Sequence, residues 1–96
     1  MSIAVLIIRQ YKQGEIEVRE ANKINLQLRA LATVQPGFIS GQSMFSQDNP
    51  NKIIILSKWN GREDWETWKD TASRKEFYKK IEKFLEYPEK IEVFSF

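Results

Sequence analysis

The sequence predicts an α+β domain of ferredoxin-like topology, β-α-β-β-α-β with the second helix broken in two, that pairs with a second copy through its sheet. Three observations carry this. Short runs of aliphatic and β-branched residues alternate with helically periodic stretches in the order of a split βαβ unit. The strand runs are apolar on both faces, so helices on one face leave another apolar face to cover. The chain has 96 residues, enough for one domain (1–96) with no spare element for that second face.

Ile3 to Gln10 is aliphatic and β-branched and reads as the first strand. Lys12-Gln13-Gly14 breaks it. From about Glu15 to Val34, Ala21, Ile24, Leu28, Leu31 and Ala32 recur at helical spacing, and Pro36-Gly37 stops the helix. Phe38 to Phe45 is a second strand, weakened by Gly41 and polar neighbours. Asp48-Asn49-Pro50-Asn51 is turn chemistry, and Ile53 to Trp59 completes a hairpin as the third strand. Asn60-Gly61 ends it. Arg62 to Lys69 is a short helix with Trp65 and Trp68 on one side, and Asp70 and Thr71 interrupt it and cap the next helix. That helix runs from Thr71 to Leu85 with Phe77, Ile81, Phe84 and Leu85 on one face. After Pro88, Ile91 to Phe96 is the last strand, and the four strands form one antiparallel sheet with the helices on one face.

Side chains alternate across a strand. Ile3, Val5 and Ile7 oppose Ala4, Leu6 and Ile8; Ile53 and Ile55 oppose Ile54 and Leu56; Phe38 and Met44 oppose Ile39 and Phe45. A two-fold dimer is the economical way to cover the face that the helices miss.

Composition excludes several function classes. Lys plus Arg is 15 and Asp plus Glu is 13, and a net charge of +2 predicts neither a nucleic-acid nor a membrane surface. An RNA-recognition module shares the topology, but its third strand needs stacking aromatics where this chain has the aliphatic "KIIILSKW". There is no cysteine, hence no disulfide or thiolate chemistry, and no histidine, which removes the commonest general base and metal ligand. No metal site is expected. The apolar run Ser2 to Ile8 is too short to span a bilayer and lacks a basic leader, so a cytoplasmic protein is expected.

Residues 29–81, "RALATVQPGFISGQSMFSQDNPNKIIILSKWNGREDWETWKDTASRKEFYKKI", resemble the antibiotic biosynthesis monooxygenase domain of the dimeric α+β barrel superfamily. The telling pieces are "LATVQPGF", the strand-ending Trp59 of "LSKW", and "DWETWKDTASRKEFY" with its spacing of Trp59, Trp65, Trp68 and Arg74. The resemblance implies a dimer in which each sheet packs on the other, and a cleft between sheet and helices. It also implies a range of chemistries: cofactor-free oxidation of aromatic phenols, haem degradation, or ligand binding alone. Haem degraders of the family use an Asn, a Trp and a His; here Ile7, Trp68 and Tyr78 stand at those places, which disfavours haem.

The expected function is therefore oxidation of an aromatic or phenolic substrate by O2 without metal or flavin. The alternative is a non-catalytic ligand-binding or structural homodimer. Oxygenation without a cofactor needs a site that holds the ring, excludes water and stabilises the substrate anion. Trp59, Trp65, Trp68, Phe77 and Tyr78 are candidates for an aromatic slot. Arg74, Arg9 and Lys58 are candidates to stabilise the anion, and Tyr78, Asn60 and Asn25 to hydrogen-bond or relay a proton. Arg74, Tyr78 and Asn60 form the candidate catalytic set; Trp59, Trp65, Trp68, Phe77, Arg9 and Asn25 form the candidate substrate-binding set. Each has a structural reading beside it. The tryptophans at helical spacing pack on the sheet, Trp59 covers the interface or the cleft mouth, and Tyr78 lies at the core edge. Arg74 pairs with Asp70 or Glu66 on the surface. Arg9 reaches the cleft, crosses the dimer or lies at the strand's wet end, the last being favoured. Glu63, Glu66 and Glu76 read as solvated helix charges, and Lys79, Lys80, Lys83, Lys90, Glu82, Glu86 and Glu89 as a solvated mixed-charge face.

Overall fold

A computed structural model describes residues 1–96, the side chain of Ile16 excepted. The elements are β1 (Ile3–Gln10), α1 (Glu15–Thr33), β2 (Phe38–Phe45), β3 (Lys52–Trp59), α2 (Arg62–Lys69), α3 (Ala72–Glu82) and β4 (Lys90–Ser95). The four strands form one antiparallel sheet in the order β2-β3-β1-β4, the ferredoxin-like arrangement. The two central strands are β1 and β3, the most aliphatic in the chain.

The alternation in β1 is realised residue by residue. Ile3, Val5, Ile7 and Arg9 are buried on the helix-facing side, while Ala4, Leu6 and Ile8 are half-buried on the other. Register places Ile54 and Leu56 of β3 and Phe94 of β4 beside that second row. Among the described residues no helix packs there, and Met44 and Phe94 are exposed on it. In β2 the pairing shifts between Phe38 and Ser40, a bulge of one residue. Phe38 therefore shares the helix-facing side with Trp59, whereas Met44 lies opposite Ile54 on the outer face. Strict alternation puts Phe38 and Met44 on one face; the bulge separates them.

The core divides in two along β1. One cluster gathers Ile3, Val5, Ile7, Leu28, Trp59, Trp65 and Trp68, the other Tyr11, Ala21, Ile53, Ile81 and Leu85. Arg9 stands between Ile7 and Tyr11 on the same side of the strand, at the seam. At the start of β2, Gly37 has φ 83°, and a Cβ there would collide with Asp64 of α2. Its carbonyl accepts the Asn60 N–H at 2.8 Å, which fixes α2 and its tryptophans against the end of β3.

Thr71 caps α3 by accepting the Arg74 N–H at 3.2 Å. The helix stops at Glu82, short of the Leu85 expected from its apolar face. Leu85 instead bridges to Tyr11, the Lys12 N–H donates to the Phe84 carbonyl at 2.7 Å, and the Glu86 N–H donates to the Gln10 carbonyl at 2.8 Å. The segment after α3 is thus stitched to the end of β1, and this delivers Glu89 to the seam where Arg9 lies.

Candidate functional site

Between the helix-facing side of the sheet and helices α1 and α2 is a cavity of about 60 Å3. Its walls are Ile7, Leu28, Ala32, Phe38, Ile55, Trp59, Trp65 and Trp68, and its polar lining comes from Arg9, Asn25, Arg29, Gln42, Ser43, Ser57 and Arg74, with Gly41 at the rim. The aromatic side is ordered by edge-to-face packing. Phe38 and Trp59 have ring centroids 5.3 Å apart at 85°, and Trp59 and Trp65 6.0 Å apart at 61°. The Trp59 Nε1–H donates to Ser57 Oγ at 3.0 Å, which pins the indole. At the rim, Arg29 Nη2 donates to the Gly41 carbonyl at 3.1 Å and spans α1 to β2.

The polar end is a buried ionic cluster. Arg9 donates from Nε and Nη2 to Glu89 Oε1 at 3.1 and 3.0 Å, and from Nη1 to Asn25 Oδ1 at 2.8 Å. Arg74 Nη2 donates to Glu89 Oε2 at 3.1 Å, and its guanidinium lies 5.4 Å from the Trp65 ring centre. Side-chain exposures are 2% for Arg9, 7% for Arg74 and 6% for Glu89. Charges this deeply buried persist only when paired and hydrogen-bonded. One carboxylate faces two guanidiniums, so the cluster keeps one uncompensated positive charge. The charged side chains that line the cavity are all arginines, and Glu89 stands behind two of them.

The structure brings Arg74, Arg9, Asn25, Trp59, Trp65 and Trp68 together around this cavity. It places Phe77, Tyr78 and Asn60 elsewhere. Phe77 packs at the edge of the first core cluster with Lys80 Nζ 4.8 Å from its ring. Tyr78 Oη accepts the Glu89 N–H at 3.1 Å, so it braces the ionic cluster from behind. Burial pushes its phenol above the ordinary value near 10, so it stays protonated at neutral pH. Asn60 is exposed and engaged through its backbone at the end of β3.

Four charges differ from their expected settings. Arg9 is buried rather than at a wet strand end, because strand parity aligns it with Val5 and Ile7 and because Glu89 and Asn25 satisfy it. Arg74 pairs with Glu89 rather than with Asp70 or Glu66, and Glu89 leaves the solvated face assigned to it. Lys58 points to the outer face, its Nζ 4.6 Å from the Phe96 ring, and cannot serve the cleft. Ser57, Phe38, Leu28 and Arg29 line the site without having been singled out from the sequence. Ser57 had a usable signal, a polar residue in an aliphatic strand on the same face as Ile53, Ile55 and Trp59.

Among the described residues no helix is long and apolar enough to cross a membrane, and no group of three or more His, Cys, Asp and Glu could hold a metal ion. A comparison with curated protein sequences finds no match. Solved structures share the fold. A conserved protein from Methanosarcina mazei Go1 superposes with a TM-score of 0.89 at 18% identity, over 98% of this chain and 91% of that one. SnoaB, a cofactor-independent oxygenase from Streptomyces nogalater, gives 0.87 at 10% identity, over 99% and 92%. A structure described as an antibiotic biosynthesis monooxygenase gives 0.88 at 11%, over 98% and 97%. These likenesses speak for the fold. The sequence itself matches the family model for antibiotic biosynthesis monooxygenase over residues 13–80, most of its length, and the chain belongs to that family.

Proposed function

We propose that the protein is a small-molecule monooxygenase that oxidises an electron-rich aromatic substrate with O2 in this cleft, without metal or flavin. The observation that supports it is an aromatic slot closed at one end by cationic hydrogen-bond donors. A phenol or its carbon acid reacts with O2 once it is ionised. No carboxylate lines the cavity to take the proton, so the site favours ionisation electrostatically. A positive charge within about 4–6 Å lowers an acid's pKa by roughly 1–3 units, and more so where water is excluded. Arg74 is the anion-stabilising residue, with Arg9 and Asn25 beside it, and Trp59, Trp65 and Trp68 hold the ring. In the overall change a ring CH2 becomes C=O, one oxygen atom staying in the product and the other leaving as water. Tyr78 acts through Glu89, Phe77 packs behind the tryptophans, and Asn60 fixes the end of β3 through its backbone.

The protein works as a homodimer through its outer sheet face. The half-buried row of Leu6, Ile8, Ile54 and Leu56 beside the exposed Met44 and Phe94 supports this.

Oxygen uptake with a panel of oxidisable phenols, from single-ring phenols to naphthalene diols, run with a chelator present, tests the oxygenase reading. Substrate-dependent uptake is expected, falling about 100-fold in Arg74→Gln, the usual loss when one anion-stabilising donor is removed. No uptake across the panel would leave the non-catalytic ligand-binding dimer, the reading that the absence of a base in the cavity favours.

A further inference from the structure

We propose that the cleft selects a small aromatic carboxylate, its anionic group held by the free donors of Arg74 and Asn25 and its ring by the tryptophans. This rests on the cleft being the functional site and adds the class of ligand it takes.

Unpaired donors define the polar end of the cavity. Arg74 is buried and lines the cavity, and only its Nη2 is bonded, to Glu89. Its Nε and Nη1 have no hydrogen-bond partner among the described residues, and the residue that carries them lines the cavity. Arginine only donates, so the Asn25 atom that meets Arg9 Nη1 at 2.8 Å must be the amide oxygen. That fixes the Asn25 orientation and leaves its Nδ2 as a second free donor at the cavity. The one carboxylate nearby, Glu89, is already shared by two guanidiniums. The polar end therefore offers donors and one net positive charge, with no free acceptor from Arg9, Asn25 or Arg74.

A neutral hydroxyl or amide can accept from those donors through its oxygen, but it leaves the buried positive charge uncompensated and brings a donor of its own. A carboxylate brings acceptors only and compensates the buried charge. The cavity volume of about 60 Å3 is room for a few waters, which suits one ring better than a fused polycycle. Glu89, shared by both guanidiniums, sets the charge of this site at one net positive rather than two.

The test uses the full chain with benzoate as probe and benzamide as its neutral isostere. All three tryptophans of the chain line the cavity, so their indole N–H signals report binding directly. Benzoate is expected to shift these signals and to bind at least about tenfold tighter than benzamide, a preference worth about 1.4 kcal/mol. Glu89→Gln should tighten benzoate several-fold and leave benzamide unchanged. Asn25→Asp, which cancels the excess charge with little change of shape, should abolish the preference, and it serves if Glu89→Gln does not fold. Equal affinity for the two probes, or no binding of benzoate, overturns the inference. Oxygen uptake by neutral phenols is measured separately, so a failure here leaves the oxygenase reading to its own assay.

Discussion

Replacing Glu89 by Gln changes one atom type at the seam of the core, and its cost follows from the bonds it breaks. The glutamate accepts from Arg9 Nε and Nη2 at Oε1 and from Arg74 Nη2 at Oε2. A glutamine keeps an acceptor for Arg9. It presents an N–H2 to the Arg74 donor, however, and leaves two guanidiniums buried without a counter-charge. Removing one partner of a buried ion pair costs about 3–5 kcal/mol, and the retained acceptor puts the expectation at the lower end, about 3 kcal/mol. Domains of this size hold only about 5–15 kcal/mol in all. The melting temperature should therefore fall by roughly 12–24 °C. In urea, at about 1–3 kcal/mol/M, the midpoint should fall by about 1–3 M with an unchanged slope. Protein concentration is held fixed, because self-association would couple to unfolding. Glu66→Gln is the control. Glu66 pairs with Lys69 at 2.8 Å and Arg62 at 3.4 Å, both on the surface, and its loss should move neither the midpoint nor the melting temperature measurably. If Glu89→Gln lies within about 0.5 kcal/mol of the parent with the same slope, the buried three-residue cluster does not exist as described.

Two further outcomes are expected. Burial raises the phenol pKa of both Tyr11 and Tyr78, so the folded state holds their protons more tightly than the unfolded chain does. This stability is fully present below the ordinary value near 10 and is lost as pH rises through the folded values. Tyr11 Oη is enclosed with no partner, so Tyr11→Phe should leave neutral-pH stability equal or higher and make the alkaline loss shallower than in the parent, with the Tyr78 share remaining; an alkaline loss as steep as the parent's would refute this. On the outer sheet face, Leu56→Lys should halve a solution mass of twice the 11.4 kDa chain while circular dichroism stays native, whereas Ile53→Lys, fully buried under the helices, should unfold the chain. A Leu56→Lys variant that stays dimeric by light scattering would show that this face is not the interface.

The elements, and the alternation of faces in β1 and β3, were legible in the sequence. Strand parity, helical spacing and Pro36-Gly37 act between neighbours a few residues apart, so β1 to β4 and the inward tryptophans Trp65 and Trp68 could be read without knowing their partners. Parity aligns Arg9 with Val5 and Ile7, yet the sequence favours the strand's wet end for it, because nothing nearby in the chain identifies what satisfies a buried guanidinium. Other features arise from tertiary contact. The bulge at Phe38 depends on pairing with Trp59, and the early end of α3 depends on Leu85 bridging to Tyr11. Glu89 looks like one more solvated acid among lysines, because the residue that buries it lies 80 positions away in the chain. Periodicity is enforced locally by backbone geometry. A buried charge is tolerable only where its counter-charge arrives, and that arrival is a property of the folded chain.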